Sequence, residues 1–142
     1  QDIQVLVIAH TRELAFQIQK EYVRFTQFMP NVKTEVFFGG RNIRLDQEAL
    51  AKHPAIVVGT PGRILDLIRR GWMKVDKLQH FVVDECDHIM ESLSMRRDLQ
   101  DIFMACPIDK QVMMFTATLP PETKAVCLKF MKDVGSAAVR YE

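Results

Sequence analysis

"HFVVDECDHIM", His80 to Met90, joins a short apolar run to three carboxylates with no spacer between them. Phe81, Val82 and Val83 have the aromatic and β-branched character of a buried strand, and Asp84, Glu85 and Asp87 follow at once. Charges so placed stand at the mouth of a core. Two readings fit them. Acidic residues favour a helix N-terminus, so the stretch can be a solvated loop that opens a helix. It can equally be a strand end where carboxylates hold a metal ion and a water.

Working outward, "IQVLVIA" (3–9), "KTEVFF" (33–38), "AIVVG" (55–59), "HFVVD" (80–84), "QVMMFT" (111–116) and "SAAVR" (136–140) read as strands, with helical runs between them. From Thr11 to Phe28, Leu14, Ile18, Tyr22 and Phe25 recur at helical spacing and are expected in the core. Thr60-Pro61 opens a further helix with Ile64, Leu65 and Ile68 inward, and Gly71 ends it. Pro107 stops the helix carrying Leu99, Ile102 and Phe103. Pro120-Pro121 starts one carrying Val126, Cys127, Phe130 and Met131. Strands apolar on both faces, alternating with helices, predict an α/β fold: a mostly parallel sheet with helices on both faces.

The 142 residues, 48% of them hydrophobic, amount to one domain. With 19 Lys+Arg against 18 Asp+Glu, bulk charge points to neither a polyanion nor a membrane, and any nucleic-acid contact must be local. Cys86, Cys106 and Cys127 are odd in number and widely spaced, which argues against a disulfide framework and for a reducing compartment. The apolar runs are too short to span a bilayer. The chain opens with neither an initiator Met nor a signal peptide, and so reads as the middle of a longer protein.

In parallel sheets ligands bind beyond the carboxyl ends of the strands. The residues there are "HTRELAFQI" (10–18), "GGRN" (39–42), "TPGR" (60–63), "DECD" (84–87) and "TATLP" (116–120). Part of this set suits a phosphate backbone. Thr11-Arg12 and Thr60-Pro61-Gly62-Arg63 each put a hydroxyl and a guanidinium at a helix start, and Gly39-Gly40 and Gly62 let a ligand approach the main chain. The rest suits metal-assisted hydrolysis. Mg²⁺ takes one or two carboxylates and keeps its waters, so Asp84 and Glu85 can divide metal and water between them. Thr116 and Thr118 can reach Asp87 if the two strand ends are neighbours; otherwise they cap the helix at Pro120. Cys86 and His88 beside Asp84 and Asp87 do not have the spacing of a closed four-ligand zinc site.

In order and spacing, "TRELAFQ", "GG", "TPGR", "DECD" and "TAT" resemble the motifs of the first RecA-like domain of DEAD-box RNA helicases, over Val5 to about Met131. Cysteine in the acidic box, with "FFGG", "MRRD" and "KQVMMFTATL", is most similar to the DECD-box subfamily of pre-mRNA splicing and mRNA export. The resemblance implies a RecA-like sheet of the P-loop NTPase type, with residues 1–142 running from motif Ia through motif III of the N-terminal, ATP-binding domain. It implies ATP and Mg²⁺ as cofactors: Asp84 holding Mg²⁺ through water, Glu85 activating the hydrolytic water, and Asp87 coupling the site to Thr116 and Thr118. Thr11, Arg12, Gly39, Gly40, Thr60, Gly62 and Arg63 would touch the sugar-phosphate backbone of single-stranded or duplex RNA. Partners implied are a second RecA-like domain and splicing or export factors in the nucleus, with no membrane. Thr116 stands where the family usually has serine, and His10 where many members have proline.

Within these 142 residues no Gly-rich loop with Lys-Ser/Thr occurs, nor the family's adenine-reading segment. The strand and loop that would precede residue 1 are therefore expected to be missing, the strand ending at Thr116 to expose an unpaired edge, and the fragment alone to be inactive. The alternative is a non-catalytic RNA- or protein-binding remnant of the same fold.

Overall fold

Five of the apolar runs form strands of four residues each: β1 (Val5–Ile8), β2 (Thr34–Phe37), β3 (Ile56–Gly59), β4 (His80–Val83) and β5 (Gln111–Met114). The computed structural model describes residues 2–131, and "SAAVR" lies outside them. Between the strands run α1 (Arg12–Phe25), α2 (Ile43–Leu50), α3 (Pro61–Arg69), α4 (Cys86–Glu91) and α5 (Leu93–Ala105), with α6 (Pro121–Phe130) last. The caps follow from local chemistry. Thr11 accepts the Leu14 N–H at 3.2 Å, and Asn42 accepts the Arg44 N–H at 3.0 Å. Pro61 and Pro121 stand in first turns that need no proline N–H, and Gly71 leaves α3 at φ 72°.

The sheet is parallel throughout, in the order β2-β3-β1-β4-β5. Its register is level. Phe37 pairs with Gly59, Gly59 with Ile8, Ile8 with Val83, and Val83 with Met114. Every strand therefore ends on one row, and every following segment leaves from the same edge. Beyond β5 no further strand pairs among the described residues.

Alternation along each strand divides the core. Leu6, Ile8, Phe37, Val57, Phe81 and Val83 pack with Ile64 and Leu67 of α3 and Leu99 and Ile102 of α5. Val7, Val36, Val58 and Val82 face the other way, onto α1. Here the expected core stripe needs correction. Ala15 is buried and Leu14, Ile18 and Tyr22 are half-buried, but Phe25 is 72% exposed. Among the described residues α1 is the only helix on that face, so no neighbour closes over its flank. Among the described residues no helix is long and apolar enough to cross a membrane.

Gly59 shows how tightly the row is packed. A Cβ there would lie 2.6 Å from the Phe37 carbonyl oxygen and 2.5 Å from Ile64 Cδ1. Backbone cannot yield as a side chain can. Gly59→Ala should lower stability by about 1–3 kcal/mol in urea unfolding, whereas Gly39→Ala, with nothing within 4 Å of its Cβ position, should be close to neutral.

Candidate functional site

The level strand ends present two groups of side chains. The first lies over β1, β4 and β5. Asp84 follows β4 directly, and its Oδ1 accepts the Glu85 N–H at 2.9 Å. Its other oxygen has no protein partner among the described residues. A hard carboxylate at a strand end, with one oxygen unspent, suits a Mg²⁺ ion that keeps its waters. Glu85 adopts φ 47°, ψ 50°, a left-handed backbone that costs a non-glycine residue about 1–2 kcal/mol. The turn brings its carboxylate towards β1, where Oε2 lies 3.3 Å from His10 Nδ1. The His10 and His88 rings stack beside it, centroids 4.6 Å apart.

Asp87, in the first turn of α4, is buried. Because β4 and β5 are neighbours, the segment after β5 reaches it: Thr118 Oγ1 donates to Asp87 Oδ2 at 2.5 Å. Thr116 acts mainly on the turn, donating to the Thr118 carbonyl at 2.6 Å and accepting the Thr118 N–H at 3.3 Å. Burial pushes the Asp87 carboxyl up. Hydrogen bonding from Thr118 and Thr116, the His88 N–H and the nearby imidazole together outweigh burial and hold it below its ordinary value.

The second group lies over β2 and β3, with Thr11 and Arg12 after β1. Gly40 has φ 90°, and the Arg12 guanidinium fills the space where its side chain would be; a Cβ would come 2.8 Å from Nη1. Thr60 stands at the N-cap of α3 without a side-chain capping bond. Gly39, Thr60, Gly62 and Arg63 line an open cavity of about 540 Å³ with Arg41 and Arg70.

Arg63 is not a free surface cation. Its Nη1 donates to Asp46 Oδ2 at 3.0 Å and its Nη2 to the Arg41 carbonyl at 2.9 Å. Arg41 in turn donates from Nε to Asp46 Oδ1 at 2.6 Å, and Asp46 is fully buried. Asp46 thus clamps two arginines on the cavity wall. Sequence reasoning passed over Arg41, Arg70 and Asp46. The arginine next to Gly39-Gly40 was a usable signal, while nothing in the sequence around Asp46 marks it as buried.

Residues 1–126 match the DEAD/DEAH box helicase family. The chain belongs to that family. It is 53% identical over 135 residues to the ATP-dependent RNA helicase uap56 of Schizosaccharomyces pombe, covering 93% of this chain and 31% of that protein. It is 56% identical over 132 residues to the human ATP-dependent RNA helicase DDX39A, covering 92% of this chain and 31% of the relative. Among solved structures, a DEAD box protein from the hyperthermophile Methanococcus jannaschii superposes with a TM-score of 0.84 at 35% identity, over 94% of this chain and 36% of the other. Saccharomyces cerevisiae Dbp5 bound to RNA and ADP BeF3 gives 0.83 at 25% identity, over 93% and 32%. The chain therefore spans about a third of these proteins. With Cys86 in the third place of the acidic box, these similarities put it in the DECD-box subfamily.

Asp87 generates a pH prediction. A carboxyl depressed in the folded state adds stability above its unfolded value of about 3.9, lost as pH falls through the folded value. Thr118→Val should destabilise by about 1.5–3 kcal/mol near neutral pH, and the gap from the parent should narrow below about pH 4. Denaturant titrations at both pH values check this.

Proposed function

We propose that this chain is part of the N-terminal RecA-like domain, from motif Ia through motif III, of an ATP-dependent RNA helicase. The intact protein couples ATP hydrolysis to RNA duplex unwinding or RNP remodelling in nuclear pre-mRNA splicing and mRNA export, with splicing or export factors as partners. The observation that carries the reading is the shared row of strand ends, with Asp84 and Glu85 beside the buried Asp87–Thr118 pair. The names of the two relatives, both ATP-dependent RNA helicases, support it, as does the likeness to an RNA-bound Dbp5.

In this reading each residue has one task. Mg²⁺, when bound, neutralises charge on the phosphates of ATP, and Asp84 holds its water shell. Glu85, turned out of line by its left-handed backbone, accepts a proton from the attacking water. Asp87 ties the start of α4 to the 116–118 turn through Thr118, so a change at the phosphates is felt along the segment that leads into α6. Thr11, Arg12, Gly39, Gly40, Thr60, Gly62 and Arg63 meet the RNA sugar-phosphate backbone, which carries no sequence information. Arg63 uses two N–H groups on Asp46 and Arg41, leaving three of its five donors. A second RecA-like domain closes over the site. Residues 1–142 alone hold no phosphate-cradling loop and should not turn over ATP.

The test uses the intact protein. RNA-stimulated ATP hydrolysis should fall by roughly 10²-fold or more in Glu85→Gln, in line with loss of a positioned proton acceptor, while RNA binding persists. Hydrolysis undiminished in that variant would remove Glu85 from the chemistry. An intact protein that binds RNA without any turnover would establish the non-catalytic alternative.

A further inference from the structure

The Glu85 carboxylate has neighbours that the hydrolytic reading does not use. His10 follows β1, Glu85 and His88 follow β4, and these are adjacent strands. One ligand atom from each, two imidazole nitrogens and one carboxylate oxygen, lie within 4.8 Å of one another. His10 Nδ1 is buried and makes no hydrogen bond, and Glu85 Oε2 lies 3.3 Å from it. That separation matches the edge of a tetrahedron around Zn²⁺, about 3.3–3.6 Å for metal–ligand bonds near 2.0–2.2 Å. The third ligand, His88, is exposed and stacks on His10 with the rings 11° from parallel, so its ring turns off that stack for the set to close on one ion.

We propose that His10, Glu85 and His88 form a binding site for a borderline-soft divalent cation, Zn²⁺, distinct from the Mg²⁺ position at Asp84. Two imidazoles and one carboxylate are ligands that suit Zn²⁺, whereas Mg²⁺ prefers oxygen and resists losing its waters. Three protein ligands leave a fourth position for water. The cysteines take no part: Cys86 is buried and its Sγ lies 3.7 Å from Cys127 Sγ. Bound there, the ion occupies the carboxylate that would accept a proton from water and so silences hydrolysis. That consequence rests on the role proposed for Glu85; the binding does not.

The test is therefore binding, on the 142-residue chain and on the intact protein, with Co²⁺ as spectroscopic probe and Zn²⁺ as competitor. The parent should bind one Co²⁺ with the absorption of a four-coordinate ion, displaced by Zn²⁺ and unaffected by excess Mg²⁺. Ala and Gln variants at His10 and at His88 should each lose at least the roughly 10–100-fold in affinity that removing a group supporting a ligand costs. Circular dichroism confirms that each stays folded. Unchanged affinity in the variants at both positions would overturn the proposal, as would a thiolate charge-transfer band placing the ion on cysteine. ATP hydrolysis that survives Zn²⁺ saturation would instead count against the role of Glu85, with the site intact.

Discussion

The structure depends on the parallel hydrogen-bonded register between β1 and its two neighbours. Ile8 pairs with Gly59 on one side and Val83 on the other, and from those pairs the row extends to Phe37 and Met114. A parallel ladder fixes direction as well as spacing, so no segment can leave from the opposite edge. A slip of one residue would turn Leu6 and Ile8 away from α3 and α5 and bring Val7 into their place. Burial on both faces therefore holds the register, and the register holds the site.

The order of strands divides the edge. β1 is central, with β3 and β2 to one side and β4 and β5 to the other. The chain goes first to the β2–β3 side, then crosses to β4, and ligands of open α/β sheets bind where the direction of winding reverses. The acidic box stands next to that point. Arginine and glycine segments accumulate on the other side, over the cavity walled by Arg41, Arg63 and Arg70. Asp46 keeps Arg41 and Arg63 in place, while Arg70 pairs with Asp66. Without Asp46 two guanidinium groups would share a largely buried corner with no counter-charge.

Much of this was legible in the residues. Short apolar runs marked all five described strands, and Thr11, Thr60-Pro61 and Pro120-Pro121 marked helix starts, because these signals are local. The link from Asp87 to the 116–118 turn was readable as a condition, that two strand ends be neighbours, and the β4–β5 pairing meets it. Other features depend on contacts distant in sequence. The burial of Asp46 needs Arg63, 17 residues on. The exposure of Phe25 depends on what fails to cover α1, and the left-handed turn at Glu85 on how α4 enters the core. The meeting of His10 with His88 needs the β1–β4 pairing, which no local pattern encodes.

The division of the edge into an RNA half and a hydrolytic half is the central claim, and amide chemical shifts report on it directly. On titrating the chain with a single-stranded RNA in the absence of nucleotide, the account predicts shifts at Thr11, Arg12, Gly39, Gly40, Thr60, Gly62 and Arg63. The amides of residues 84–87 and 116–118 should stay in place. Shifts concentrated on the acidic box and the 116–118 turn, with the glycine and arginine segments unmoved, would contradict it.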